Sequence, residues 1–236
     1  EKTFVVTAHE AATGKELWKR EMPAGELPRI TPPNSHASST AATDGERVYA
    51  YFSTLGILAF AAATGADVWK HEVPKPAYLM DWGPGASPVV HDGRVYFAQD
   101  DDLNSFLLCL DAKTGSALWK TPRPEMLAGY SLPVICEANR RKDLVVAGSG
   151  KLIGYDPATG KELWSSQSLL RTIMTSPVVK DDLVYIAVQS YGDSTRTLKF
   201  ALLEWLDTNQ DGKLAREEMP KEFLERFDAS DKNKDK

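Results

Sequence analysis

The sequence predicts an all-β protein: a β-propeller of four-stranded blades, followed by a small α-helical calcium-binding insertion. Three observations carry this reading. A motif ending in Thr-Gly, three further residues and Trp recurs four times, short β-rich runs bounded by turn residues fill each repeat, and a twelve-residue acidic loop lies near the C-terminus.

The four motifs are Ala8-His-Glu-Ala-Ala-Thr13-Gly14-Lys-Glu-Leu-Trp18, Ala59-Phe-Ala-Ala-Ala-Thr64-Gly65-Ala-Asp-Val-Trp69, Cys109-Leu-Asp-Ala-Lys-Thr114-Gly115-Ser-Ala-Leu-Trp119 and Gly154-Tyr-Asp-Pro-Ala-Thr159-Gly160-Lys-Glu-Leu-Trp164. Successive tryptophans are 51, 50 and 45 residues apart. A period of that length with several strands per unit is the signature of propeller blades. A β-sandwich is the alternative for many short strands, but it does not require a motif repeated in register.

Within a unit, Ser87-Pro88-Val89-Val90 leads through His91-Asp92-Gly93 into Arg94-Val95-Tyr96-Phe97-Ala98, an Asp-Gly hairpin signal. Equivalent hairpins sit at Thr43-Asp44-Gly45 and Lys180-Asp181-Asp182. A third strand carries Leu107-Leu108-Cys109-Leu110, Asp111 to Gly115 form a turn, and the fourth strand ends on Trp119. In that turn Asp accepts bonds from nearby N–H groups and Gly takes a positive φ. The Trp is expected to cover the neighbouring blade with its ring while its N–H finds a partner. On this count residues 3–20 supply the last two strands of one blade, three complete blades end near Trp69, Trp119 and Trp164, and residues 175–190 supply the first two strands of another.

These motifs resemble the tryptophan-docking repeat of the quinoprotein-type, pyrroloquinoline-quinone-like β-propellers, over roughly residues 3–190. That family includes the quinoprotein alcohol dehydrogenases and the non-enzymatic propeller lipoprotein of the outer-membrane β-barrel assembly machine, and the present chain is most similar in type to the latter. The second motif departs from the pattern, with Ala61 where the third and fourth have Asp. Four blade-equivalents are about half of the eight typical of the family. The expectation is therefore a partial propeller over residues 1–190, in a native chain that continues beyond both ends. The resemblance also implies an extracytoplasmic location, periplasmic or secreted.

After Gln189 the repeat gives way to Phe200-Ala-Leu-Leu203-Glu-Trp205-Leu206, a short amphipathic pattern, and then to Asp207-Thr-Asn209-Gln-Asp211-Gly212-Lys213-Leu214-Ala-Arg-Glu-Glu218. This fits the EF-hand loop: Asp207, Asn209 and Asp211 at positions 1, 3 and 5, Gly212 at the sharp turn, the Lys213 carbonyl at 7 and Glu218 at 12. Ca²⁺ takes 6–8 oxygen ligands, and this spacing delivers them. Ala215 at position 9 leaves that place to a water. A second loop starts with Asp231, Asn233 and Asp235 and stops at Lys236, before its glycine and final acid. Residues 198–236 thus read as an EF-hand insertion with calcium as the cofactor and a truncated second loop.

The segments before each first strand should cross toward the propeller axis, which makes His36, Trp82, Tyr130 and Arg171 a candidate axial site for a ligand or protein partner. The bland alternative is packing between blades. His9, His36, His71 and His91 lack zinc-type spacing, and Cys109 and Cys136 form no C-x-x-C motif. Gly148-Ser-Gly150-Lys-Leu-Ile-Gly154 aligns with Leu55 to Ala59 and reads as a hairpin rather than a nucleotide loop. No catalytic residues are predicted.

Composition bounds the rest. The chain has 236 residues, 42% of them hydrophobic and 26% charged, with two Cys and a net charge of −5. It is neither a disordered chain nor a disulfide scaffold. No window approaches a membrane helix, and there is no basic field for nucleic acid. The function expected is a non-catalytic, calcium-binding propeller that acts as a scaffold or protein-interaction module. The alternative, implied by the resemblance, is a quinone-dependent alcohol or sugar dehydrogenase. Against it, the chain lacks the adjacent cysteine pair of the alcohol dehydrogenases. In a third reading the calcium loop merely staples the insertion.

Overall fold

A computed structural model describes residues 2–79, 81–167, 175–187 and 206–230. Its strands form five antiparallel sheets in chain order. A two-stranded sheet of β1 (Thr3–His9) and β2 (Glu16–Pro23) comes first. Three four-stranded meanders follow: β3 (Ala42–Thr43), β4 (Arg47–Phe52), β5 (Gly56–Ala61) and β6 (Asp67–His71); β7 (Val89–His91), β8 (Arg94–Gln99), β9 (Phe106–Asp111) and β10 (Ala117–Pro122); and β11 (Val134–Ala138), β12 (Arg141–Gly148), β13 (Lys151–Tyr155) and β14 (Glu162–Ser166). A second pair, β15 (Val178–Lys180) and β16 (Leu183–Tyr185), closes the series. The fold is an all-β propeller, and we refer to the five sheets as blades 1 to 5.

The second and third strands of blades 2 to 4 are near-continuous apolar runs because neighbouring blades cover both of their faces, in contrast to the alternating pattern of a one-sided sheet. Along β4, Tyr49 and Tyr51 join a core shared with Val95, Phe97, Phe106 and Leu108 of blade 3. The alternate residues Ala50 and Phe52 join Phe4 of blade 1, and the Phe4 and Phe52 rings stack at 4.2 Å. Tyr96, Leu107 and Cys109 face the other way and pack on Leu144, Val146 and Ile153 of blade 4. The core is thus a series of inter-blade layers.

The tryptophan motif locks each layer. Trp18 donates its indole N–H to the Ala62 carbonyl at 2.8 Å, Trp69 to Ala112 at 3.0 Å and Trp119 to Pro157 at 3.2 Å. The acceptor is always the residue three before the glycine of the next blade's turn. That glycine has a φ of +70 to +72°. A Cβ on Gly65 or Gly115 would lie 2.6 Å from the docked ring, and one on Gly160 closer still. Both the backbone and the ring therefore require glycine. A tyrosine stands beside the acceptor: the Tyr96 hydroxyl donates to Pro157, and Tyr49, whose hydroxyl donates to Asp44 Oδ2 at 2.7 Å, lies 3.2 Å from the Ala112 carbonyl.

Trp164 breaks the series. Its N–H bonds Asp143 Oδ2 of its own blade at 2.6 Å. In register, Val145 stands where blades 2 and 3 have Tyr49 and Tyr96, and Gly154 where they have Ala59 and Cys109. A Cβ at Gly154 would overlap the indole, so the absence of a side chain is what lets Trp164 fold back. The Ala61 departure is tolerated because the backbone bond Gly65 N–H to Ala61 carbonyl, 2.8 Å, persists as in the other turns. What Ala61 forgoes is the side-chain cap by which Asp111 accepts the N–H groups of Lys113 and Thr114.

The predicted amphipathic segment before the acidic loop lies outside the described residues except for Leu206, which is buried. Beyond the loop come two single 3-10 turns, Arg216–Glu218 and Lys221–Phe223, and a helix, α1 (Leu224–Ser230). The Arg216 guanidinium pairs with Asp228 through two bonds of 2.8 and 3.1 Å. Arg226 donates to the Asp102 carbonyl, which ties this segment to the end of β8 in blade 3.

Candidate functional site

Three linkers between blades carry the predicted axial residues. His36 lies in the first (residues 24–41), Trp82 in the second (72–88) and Tyr130 in the third (123–133); Arg171 lies outside the described residues. The first two linkers are stitched together at Trp82, whose carbonyl accepts from the Asn34 side chain at 2.7 Å. Beside it the Asp81 carbonyl accepts the Thr31 N–H at 2.6 Å, and the Asp81 carboxylate pairs with Arg29 at 3.0 Å. The second and third linkers meet where Tyr78 stacks on Tyr130 at 5.8 Å and Gly85 abuts the Tyr130 ring. Among the described residues no hydrogen bond or ring contact joins the His36 ring to Trp82 or Tyr130.

Two polar atoms on these linkers are buried without a partner: His36 Nδ1 and the Tyr130 hydroxyl. Burial, with the charge of Lys2 behind it, lowers the His36 pKa, so the imidazole is held neutral further into the acid range. Burial, and then the Asp102 carboxylate, raise the Tyr130 phenol.

Sequence reasoning missed a buried polar layer directly beneath. Arg123, 3% exposed, makes a bidentate pair with Asp100 through bonds of 2.7 and 2.8 Å and donates to the Tyr155 hydroxyl at 2.5 Å. Burial alone would lower the Arg123 pKa; the Asp100 charge and hydrogen bonds outweigh it and hold the guanidinium firmly protonated. Asp101 accepts the N–H groups of Ala77, Leu103 and Asn104. Asp102 accepts Leu79 N–H at 2.9 Å and Ala128 N–H at 3.0 Å, thereby joining the second and third linkers. The signal was present as three consecutive acids, Asp100 to Asp102, at the end of an apolar strand, with Arg123 after another. Every one of these carboxylates is bonded to a backbone donor or to Arg123, so the layer ties the linkers together.

The acidic loop turns at Gly212, with φ +79°. Asp207 accepts the N–H groups of Asp211 and Gly212 at 3.1 and 2.8 Å, Asn209 Oδ1 accepts Asp211 N–H at 2.9 Å, and Asp211 accepts Lys213 N–H at 2.9 Å. Glu218 reaches back across the loop, accepting Thr208 N–H at 2.8 Å, Asn209 N–H at 3.3 Å and Ala215 N–H at 2.9 Å. Its carboxyl pKa is lowered by these bonds, that from Ala215 first. In chemistry and spacing the donor set fits a hard, oxygen-seeking cation. Here, however, the carboxylates face the loop's own N–H groups, and among the described residues no three His, Cys, Asp or Glu side chains gather to hold a metal. Asp231, Asn233 and Asp235 lie outside the described residues. Cys109 and Cys136 are free and buried, in blades 3 and 4. Among the described residues no helix is long and apolar enough to cross a membrane.

Comparison with known proteins places this geometry. The outer membrane protein assembly factor BamB of Kangiella koreensis is 26% identical over 176 residues, which are 72% of this chain and 39% of that protein. The 1-butanol dehydrogenase (quinone) of Thauera butanivorans is 27% identical over 134 residues, 50% of this chain and 21% of that one. Among solved structures, BamB from Moraxella catarrhalis superposes with a TM-score of 0.51 at 17% identity, covering 78% of this chain and 49% of that one. A quinohemoprotein alcohol dehydrogenase from Pseudomonas putida gives 0.50 at 17% identity, covering 70% and 32%. The chain thus spans about two fifths of the Kangiella relative and a smaller share of the dehydrogenase. The profile of the family described as outer membrane protein assembly factor BamB matches residues 2–225, and the chain belongs to that family.

Proposed function

We propose that this chain is a non-catalytic propeller scaffold that binds calcium in its 207–218 loop and docks a protein partner on its axial face, in an extracytoplasmic compartment. The observation that carries the scaffold reading is the bonded polar layer: Asp100, Asp101, Asp102 and Arg123 are all engaged in holding linkers, which suits a rigid docking surface. The compartment is read from what the family description names, outer-membrane assembly. The calcium reading rests on Asp207, Asn209, Asp211, the Lys213 carbonyl and Glu218 at EF-hand positions around a left-handed Gly212. When bound, the ion would replace the N–H donors now facing Asp207 and Glu218.

Calorimetry tests the calcium reading. Ca²⁺ should bind with a dissociation constant between about 10⁻⁷ and 10⁻³ M, the span of sensor and extracellular sites. Asp207→Ala and Glu218→Gln should each abolish the heat. No binding at millimolar Ca²⁺, or unchanged affinity in both variants, rejects it. A quinone-dependent dehydrogenase is the competing reading, favoured by the 27% identity to the butanol dehydrogenase. Dye-linked alcohol oxidation after addition of the quinone and Ca²⁺ separates the two, since the scaffold should stay at the background rate.

A further inference from the structure

A cavity of about 610 Å³ lies along the first strands of blades 3, 4 and 5. That is within the range of about 300–1,000 Å³ that ligand pockets occupy. Its wall draws on a repeated tripeptide, with Val89 and Val90 of Pro88-Val89-Val90, all of Pro133-Val134-Ile135, and Pro177 and Val179 of Pro177-Val178-Val179, where blade 2 has Ala41-Ala42-Thr43 in the same register. Val89, Val90, Val134, Ile135 and Val179 are only half-buried, whereas their neighbours Val95, Tyr96, Leu144 and Val145 on the second strands are at most 1% exposed.

The rim is acidic. His91, Glu137, Lys142 and Asp181 line it. Lys142 is 2.7 Å from Asp92 Oδ2, and His91 Nε2 is 3.1 Å from the same oxygen, so both basic groups turn toward Asp92. Among the described residues no cation lies within ion-pair distance of Glu137 or Asp181. Counting Asp92, on which both basic groups turn, the rim sets three carboxylates against Lys142 and His91 and leaves an excess of negative charge. In addition, among the described residues β7, β11 and β15 are each the terminal strand of their sheet, with one edge that no described strand pairs. Extended peptides bind such edges by main-chain hydrogen bonds, with pockets for alternate side chains.

We propose that this cavity binds an extended aliphatic segment of a partner protein carrying a lysine or arginine, with its aliphatic side chains against Val89, Val134 and Val179, beside the partly packed Ile135, and its cation at Glu137 and Asp181. The proposal deepens the scaffold reading and rests on it. Backbone edges favour a peptide over a free amphiphile, and the acidic rim sets the sign of the charge.

The test is calorimetric titration of the protein with acetyl-Val-Leu-Val-Lys-amide, its glutamate analogue and n-octylammonium chloride. At low ionic strength the lysine peptide should bind saturably and about tenfold more tightly than the glutamate peptide, with the gap narrowing in high salt. Glu137→Gln combined with Asp181→Asn should erase that preference. Ile135→Trp, which fills the cavity, should remove binding, and Val179→Trp on the two-stranded blade 5 serves the same purpose if the first variant fails to fold. No saturable binding, equal affinity for the two peptides, or octylammonium binding as tightly as the lysine peptide would overturn the proposal. Failure of the scaffold reading registers separately, as quinone-dependent oxidation, and leaves the titration interpretable.

Discussion

Gly14 and Gly115 occupy the same turn in two repeats and share a φ of +72°, yet they differ in what lies above them. A Cβ on Gly115 would sit 2.6 Å from Trp69 Cδ2 and 2.7 Å from its Cε3, whereas one on Gly14 meets nothing within 4 Å. Alanine in the left-handed region costs about 1–2 kcal/mol at either site. Only Gly115→Ala adds overpacking against a held ring, about 1–3 kcal/mol more. Gly115→Ala should therefore destabilise the protein by about 2–5 kcal/mol and Gly14→Ala by about 1–2 kcal/mol. Denaturant unfolding followed by tryptophan fluorescence measures both. In a Trp69→Ala background the excess at Gly115 should vanish, because the double-mutant cycle isolates the contact between them. Equal losses at the two glycines, or an excess that survives removal of Trp69, would refute the docking account.

Further outcomes follow from the same structure. Arg123→Met strands the Asp100 carboxylate in the interior and should cost about 3–5 kcal/mol in denaturant unfolding, most of it recovered when Asp100→Asn is added. Trp119→Phe keeps most of the apolar contact but loses the N–H bond to Pro157, for a loss of about 0.5–1.5 kcal/mol. Asp44 and Asp143 have carboxyl pKa values held low: burial opposes this, but Tyr49 and backbone N–H groups at Asp44, and Arg141 and Trp164 at Asp143, prevail. Their stabilisation is complete above the unfolded-state value of about 3.9 and should be lost as pH falls below it, visible as a drop in melting temperature that Asp143→Asn reduces. Burial pushes the Cys109 thiol up to about 12, so iodoacetamide at mildly alkaline pH should label it only on unfolding, as mass spectrometry would report.

The blades could be read from the sequence because each depends on local rules repeated in register. Asp-Gly marks the hairpins, Thr-Gly marks the docking turns, and the Trp spacing sets the period. The direction of docking was legible only as an indole needing a partner; that the acceptor lies three residues before the next blade's glycine required the structure. Trp164 looked like the other three; the turn that would receive it on the next blade is not among the described residues, and its N–H bonds Asp143 of its own blade. The polar layer of Asp100, Asp101, Asp102 and Arg123 escaped notice because the pairs that join its linkers, Asp100 with Arg123, Asp101 with Ala77 and Asp102 with Leu79 and Ala128, span 23 residues or more. The axial candidates His36, Trp82 and Tyr130 fall on three successive linkers, the first two joined by Asn34 at the Trp82 carbonyl and the last two by Tyr78 stacked on Tyr130. For the acidic loop the sequence carried the donor types and the turn glycine, while the orientation of Glu218 toward Thr208 and Ala215 depends on whether N–H groups or a cation face it.

The central claim, a scaffold whose 207–218 loop holds calcium, is tested most directly by thermal unfolding with and without the ion. A ligand that binds only the folded state at a hundredfold excess over its dissociation constant stabilises by about 2.7 kcal/mol. The account predicts that Ca²⁺ raises the melting temperature of the protein in a saturable way and leaves that of Asp207→Ala/Glu218→Gln unmoved. A melting temperature indifferent to millimolar Ca²⁺, or a shift of equal size in that variant, would contradict it.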